Sequence, residues 1–279
     1  MIVSFHPLFE GDRDINCAGR TPGPQERSAI QAADAVILPQ GCRADLYWMA
    51  HRHCPRVFPN YRVRFLYPGK NGQIRLFRET GIPHPASRLF SDLRDYRRHR
   101  LGRSPAPDFE FPLVFKFDWG GEGDTVFRLE TRAALDAMLQ RTADLERADQ
   151  KGFLLQRWVA CGHRSLRVAV IGRRRYTYWR VGSDVGAFHS AVSRGARIDC
   201  ASDRDLQQAG AAAVDRFCRR TGIDLAGFDL LFEEGGQKPL FLEINWYFGR
   251  RGLGGSAAYY DVLLEEIRAW LADRGLKSP

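Results

Sequence analysis

The chain has 279 residues, with 42 Lys or Arg against 33 Asp or Glu, which leaves a formal net charge of +9 at pH 7. Hydrophobic residues make up 44% and charged residues 27%, so a disordered tail, a fibrous repeat and a disulfide-stapled miniature are excluded. The positive balance leaves nucleic acid, or small anions such as nucleotides and carboxylates, as partner classes.

Taken in chain order, residues 2–5 and 35–39 read as buried parallel strands separated by a helix over 25–33. A second helix over 45–53 stops before Pro55, and residues 57–59 offer a third short strand. This alternation predicts a small doubly wound α/β unit over residues 1–80. His51-Arg52-His53-Cys54 reads as structural, because adjacent helical side chains point apart. The basic run from Arg94 to Arg103 reads as a solvated helix face and linker. No helix-turn-helix, RNA-recognition or zinc-finger pattern accompanies it, so nucleic acid is not the expected partner. Pro83, Pro85, Pro105, Pro107 and Pro112 mark a change of texture. From residue 110 the strands alternate as in antiparallel sheet, over 113–117, 125–129, 153–159, 165–171 and 175–181. Helices are predicted over 132–148 and 204–221, a hairpin joins 228–232 to 239–245, and a helix over 256–273 follows. The six cysteines (Cys17, Cys42, Cys54, Cys161, Cys200, Cys218) form no C-x-x-C pair and read as reduced cytoplasmic thiols. No run nears the ~20 apolar residues of a membrane span, and residues 1–9 lack a signal peptide's apolar region. A cytoplasmic protein without a membrane partner is expected.

The hairpin carries the most chemistry. Alternation puts Phe241, Glu243 and Asn245 on one face. With the turn near Gly236, Asp229 falls opposite Glu243, their Cβ atoms about 5 Å apart. Two carboxylates so close repel unless a cation neutralises them. Asp229 and Glu243, with the Asn245 amide oxygen beside them, suit Mg²⁺ that also touches phosphates. Lys116 stands mid-strand on the face opposite Phe115 and Phe117, and needs an anionic partner if covered. It runs into Asp118-Trp119-Gly120-Gly121-Glu122-Gly123, whose glycines let backbone N–H groups approach phosphate oxygens. Arg167 and Arg180 lie in strands, and Arg250 and Arg251 follow Asn245 between glycines. Guanidinium forks match carboxylate and phosphate oxygens and would offset charge developing in phosphoryl transfer. Gly254-Gly255-Ser256 opens the last helix, with Ser256 as the expected N-cap and free N–H groups able to receive an anion.

These segments resemble the ATP-grasp enzymes, specifically the RimK-type and glutathione-synthetase-like carboxylate–amine ligases, over residues 60–260 and more loosely before them. Gly227-Phe228-Asp229 with Leu242-Glu243-Ile244-Asn245 is similar to the family's two-magnesium signature. The resemblance implies an α/β (α+β) ATP-grasp fold: the N-terminal unit, then an ATP-grasp domain over 81–279. Its small ATP-covering part would span about 110–160 and its metal- and substrate-binding part 161–275. It implies that Asp229 and Glu243 hold one Mg²⁺ and Glu243 and Asn245 another, with Mn²⁺ an allowed substitute. It places Lys70, Lys116, Gly120, Gly121 and Gly123 at the ATP phosphates, and Gln156, Arg157, Trp158 and Val159 at adenine. Arg167 and Arg180 would be catalytic, while Arg250, Arg251, Gly254, Gly255 and Ser256 would bind substrate. ATP would phosphorylate a carboxylate and an amine would then displace phosphate. The implied partners are small-molecule or peptide carboxylates and amines, anionic in part, and a homodimer is left open. Departures at Ser165, Arg157 and residues 246–253 leave the substrates open. The alternatives are other ATP-grasp phosphotransfer and a non-catalytic nucleotide-binding protein.

Overall fold

The computed structural model describes residues 1–101, 109–121, 123–182 and 196–278. Gly102 and Arg103 of the basic run, Pro105, Pro107, and Glu122 of the glycine-rich turn lie outside them. Among the described residues, no helix is long and apolar enough to cross a membrane.

The first unit comprises β1 (Ile2–Ser4), β2 (Arg13–Asp14), α1 (Pro24–Gln31), β3 (Ala35–Ile37), α2 (Ala44–His53) and β4 (Val57–Phe58). Its sheet is parallel in the order β2-β1-β3-β4. β1 and β3 are buried throughout because both of their faces are covered, whereas edge strand β2 is exposed. Val3 and Val36 pack with Ala29, Ile30, Leu46 and Tyr47 of α1 and α2. Ile2, Ala35, Ile37 and Phe58 turn the other way, onto Tyr259, Leu263, Ile267 and Leu271 of α8 (Ser256–Ala272). Gly255, not Ser256, is the N-cap of α8, and its φ of 97° explains why a residue without Cβ stands there. Ser256 is the first helical residue.

Two short helices missing from the sequence reading, α3 (Arg62–Leu66) and α4 (Gly69–Glu79), connect this unit to the rest. Pro68 gives α4 no side-chain cap. The carboxylate of distant Asp118 substitutes, accepting the Asn71 N–H at 2.7 Å. Then come β5 (Ser87–Phe90), α5 (Leu93–Arg100), β6 (Leu113–Phe117), β7 (Val126–Leu129), α6 (Arg132–Arg147) and β8 (Phe153–Arg157). The four strands form an antiparallel sheet in the order β5-β8-β6-β7, which draws its edge from residues ahead of 110. Phe115, Phe117 and Phe153 pack beneath it with Leu93, Tyr96 and Leu135.

The remaining strands, β9 (Arg164–Ile171), β10 (Arg174–Val181), β11 (Arg197–Asp199), β12 (Leu225–Leu231) and β13 (Leu240–Asn245), form a second antiparallel sheet ordered β11-β10-β9-β12-β13. Helix α7 (Arg204–Thr221) packs Val214 and Phe217 against Val168, Val170, Phe228 and Phe241. The hairpin register pairs Asp229 with Glu243, as the sequence predicts, but then shifts so that Leu230 pairs with Phe241. Leu242 is the extra residue of this bulge. Strict alternation therefore fails: Phe241 is fully buried in the core, while Leu242, Glu243 and Asn245 face a cleft.

Candidate functional site

One row of side chains crosses four strands of the second sheet. Tyr178 on β10 pairs with Arg167 on β9, Arg167 with Asp229 on β12, and Asp229 with Glu243 on β13. Arg167 Nε donates to Asp229 Oδ1 at 2.6 Å and its Nη2 to Oδ2 at 3.3 Å. Arg180, one turn of the pleat further along β10, brings Nη2 to 2.7 Å from Asp229 Oδ2 and donates to Ser165 Oγ at 3.0 Å. Asn245 Nδ2 donates to the same Asp229 oxygen at 2.9 Å, and among the described residues its side-chain carbonyl oxygen has no partner. Burial pushes the Asp229 carboxyl up, but Arg167 and Arg180 more than reverse this, so it lies below its ordinary value. The cation that the Asp229–Glu243 juxtaposition requires is supplied on the Asp229 side by two guanidiniums, Arg167 and Arg180. Glu243 has no hydrogen-bond or ion-pair partner among the described residues.

Facing this row across a cleft of about 360 Å³ is the four-stranded sheet. The lining includes Lys116, Gly123, Gln156, Arg157, Trp158, Val159, Arg180, Asp229, Glu243 and Asn245 from the sequence-derived set. Lys116 is 7% exposed and has no hydrogen-bond or ion-pair partner among the described residues. Burial pushes its ammonium down to about 8, with Glu243 pulling the other way. Arg180 Nε is also buried and has no hydrogen-bond partner among the described residues. A buried cation without an ion-pair partner is costly, so an anionic group in the cleft would relieve Lys116, and it would also offer an acceptor to Arg180 Nε, whose guanidinium is otherwise paired with Asp229.

Other members of the set are placed differently. Lys70, on the first turn of α4, donates Nζ to the carbonyls of Trp119 at 3.1 Å and Gly120 at 3.0 Å and to Thr125 Oγ1 at 3.3 Å. It holds the glycine-rich turn instead of lining the main cleft, and burial lowers its ammonium. Gly120 and Gly121 lie in that turn outside the lining; Gly120 has φ 78°, and a Cβ there would reach 2.5 Å from Thr125. Gln156 is buried and donates Nε2 to Ser87 Oγ at 2.8 Å. The Arg157 side chain is paired with Glu233 at 2.6 Å. Arg250, Arg251, Gly254, Gly255 and Ser256 do not line the cleft. The Arg250 guanidinium lies 4.5 Å from the Tyr259 ring and 4.4 Å from that of Tyr260. Gly252 between them approaches so closely that a Cβ would be 2.3 Å from the Tyr178 ring, on the flank of the arginine–aspartate row.

Two residues escaped the sequence analysis. Arg128 lines the cleft and stacks its guanidinium 4.5 Å over the Trp158 ring; alternation with Val126, opposite Lys116 and Val114, could have revealed it. Gln73, on α4, bonds to the backbone of Ile244 in a way no local pattern signals.

The all-oxygen set of Asp229, Glu243 and Asn245 at the cleft wall has donor chemistry suited to a hard divalent cation. The free Glu243 carboxylate and the free Asn245 carbonyl make the fit possible without breaking the Arg167 pair. Unpartnered Lys116 and Arg180 Nε beside them suit phosphate oxygens.

A family model described as a RimK-like ATP-grasp domain matches residues 69–258. No curated protein matches the sequence. Among solved structures, the chain is similar to a RimK domain ATP-grasp protein from Sphaerobacter thermophilus DSM 20745, at 16% identity and TM-score 0.59 over 84% of this chain and 81% of that one. It is similar to the N5-carboxyaminoimidazole ribonucleotide synthetase of Thermotoga maritima, at 16% identity and TM-score 0.61 over 97% and 68%. A third likeness is to carboxyaminoimidazole ribonucleotide synthase from Aspergillus clavatus complexed with ATP, at 14% identity and TM-score 0.56; 82% of this chain is covered, and it spans 58% of that one. These likenesses concern the fold.

Proposed function

The chain belongs to the RimK-like ATP-grasp family of ATP-dependent ligases, and from that premise we propose that it joins a carboxylate to an amine through an acyl phosphate, releasing ADP and phosphate. The observation that carries this reading is Lys116, a buried cation with no ion-pair partner among the described residues, facing a wall of oxygen ligands across the cleft. In this reading Lys116 and Arg180 receive phosphate oxygens, and the backbone of Gln156, Arg157, Trp158 and Val159 borders adenine, with Trp158 fixed under Arg128. Asp229 and Glu243 would hold one Mg²⁺, and Glu243 and Asn245 the other; Mn²⁺ would substitute. Bound there, the ions supply Lewis-acid neutralisation of the phosphate charge. Arg167 keeps Asp229 ionised and oriented, and Arg180, already at the cleft, offsets charge as the phosphoryl group transfers. Lys70 acts through the glycine-rich turn, holding Gly120 and its neighbours Gly121 and Gly123 so that the turn covers the phosphates and keeps out water. Residues of about 110–160 would close on those of about 161–275. Arg250, Arg251 and the Gly254-Gly255-Ser256 opening of α8 would receive an anionic group of a small or peptide substrate.

Hydroxylamine trapping tests this. With ATP, Mg²⁺ and a panel of amino acids and short acidic peptides, a carboxylate that supports ADP release is expected to give a hydroxamate without added amine. ADP release with no hydroxamate from any such carboxylate would replace ligation with another phosphotransfer.

A further inference from the structure

We infer that Gln73 is a positioning residue for the proposed metal ligands, and that the first turn of α4 ties their strand rigidly to the glycine-rich turn. The inference rests on the metal assignment of Glu243 and Asn245 made above.

Strand β13 is the edge of its sheet, bonded on one side to β12. An edge strand turns alternate N–H and C=O groups outward, where nothing in the ladder fixes them. Ile244 is such a residue, and it stands between Glu243 and Asn245. The Gln73 side chain takes both of its groups: Oε1 accepts the Ile244 N–H at 2.8 Å, and Nε2 donates to the Ile244 carbonyl at 2.9 Å. This pair imitates one rung of a missing strand across 171 residues of sequence. Gripping both polar groups fixes the two peptide planes that flank Ile244, and those planes carry the Cα atoms of Glu243 and Asn245. A second tether on that edge, Phe241 N–H to the Pro83 carbonyl at 2.8 Å, lies on the far side of the bulge and does not constrain the same planes.

The other end of the link lies within the same helical turn. Lys70 Nζ holds the carbonyls of Trp119 and Gly120, and the Asn71 N–H is bonded to the Asp118 carboxylate. From Lys70 to Gln73 the helix rises only about 4.5 Å, too short a span to flex. Gln73 also borders a small cavity of about 10 Å³ with Lys70, Lys116, Gln156 and Glu243, so it touches the site from behind and not the nucleotide space. The turn that would cover phosphates and the strand that would hold their metal therefore keep a fixed spacing through one helical turn.

Calorimetry of a non-hydrolysable ATP analogue, with and without Mn²⁺, tests this without turnover. Gln73→Leu is expected to weaken the metal-dependent part of binding about tenfold or more, as loss of a ligand-orienting contact does. Metal-free nucleotide affinity should change less than about threefold. Gln73→Glu keeps the acceptor and loses the donor, and should give a smaller loss of the same kind, so the test survives if the leucine variant folds poorly. Leu76→Ala, in the core on the same helix, should lower the unfolding temperature and leave the metal dependence of binding unchanged. Gln73 variants that keep wild-type metal dependence overturn the inference. A wild-type protein whose nucleotide binding ignores metal overturns the metal assignment itself.

Discussion

Replacing Lys116 by Met is expected to stabilise the free protein while removing its nucleotide affinity. Burial pushes this ammonium from its ordinary 10.5 down to about 8. At roughly 1.4 kcal/mol per tenfold, that gap corresponds to ~3 kcal/mol spent on keeping the group charged in the folded state at pH 7. Methionine has similar length and leaves no charge to desolvate, so Lys116→Met should recover up to ~3 kcal/mol, observed as a higher urea midpoint. The folded-state value lies below the unfolded one, so the unfolded chain binds more protons between them. The cost is therefore fully present below pH 8 and disappears as pH rises toward 10.5. Urea unfolding of both proteins from pH 7 to 10.5 should show the variant's advantage shrinking across that window. Calorimetry with the ATP analogue should show binding in the wild type alone. A variant no more stable than wild type at pH 7, or one that still binds the analogue with wild-type affinity, would refute the argument that this lysine is held ready for an anion.

Asp229→Ala leaves Arg167 and Arg180 as uncompensated guanidiniums, both buried or nearly so, and should cost ~3–5 kcal/mol in urea unfolding. The Asp229 carboxyl is held below its ordinary value, so the stability it contributes is present above the ordinary carboxylate range and lost as pH falls through the lower folded value. Asp229→Asn should be less acid-sensitive there than wild type, and equal sensitivity would count against the pair. Glu243→Ala should abolish the Mg²⁺ dependence of analogue binding and reduce turnover below about a tenth; it breaks no hydrogen bond, but it removes the carboxylate that favours charged Lys116, so the urea midpoint should fall slightly. Arg157→Ala removes a half-exposed pair with Glu233, so a change near 0.5 kcal/mol in stability and under about twofold in nucleotide affinity is expected. A tenfold loss of affinity would place the Arg157 side chain at the nucleotide.

Period and spacing made much of this molecule legible. Helix α7 and the register of Asp229 on Glu243 follow from alternation and apolar repeats, because both signals are local. The bulge at Leu242 was not legible, since it depends on how β12 and β13 settle over α7 and inserts no marker residue. Helices α3 and α4 escaped for a related reason. Arg62–Leu66 is one turn long, and Gly69–Glu79 opens with poor helix formers whose cap arrives from Asp118. The side chains of Lys70 and Gln73 act on backbone groups 49 and 171 residues away, and no pattern in a single chain encodes such a pairing. Ser256 looked like a cap by type, yet the positive φ at Gly255 decided the helix start.

The covering of the first sheet by α8 has a consequence for biosynthesis. One face of that sheet, with Phe58 at its C-terminal limit, is buried by helical residues that begin at Tyr259. On a translating ribosome those side chains follow about 200 residues later, which at 5–20 residues per second is roughly 10–40 s. For that interval Ile2, Ala35, Ile37 and Phe58 lack the α8 side chains that pack on them in the finished fold. The nascent chain is then a natural client for chaperones that bind apolar surface, and codon changes that slow synthesis between β4 and α8 should lower soluble yield without altering the finished protein.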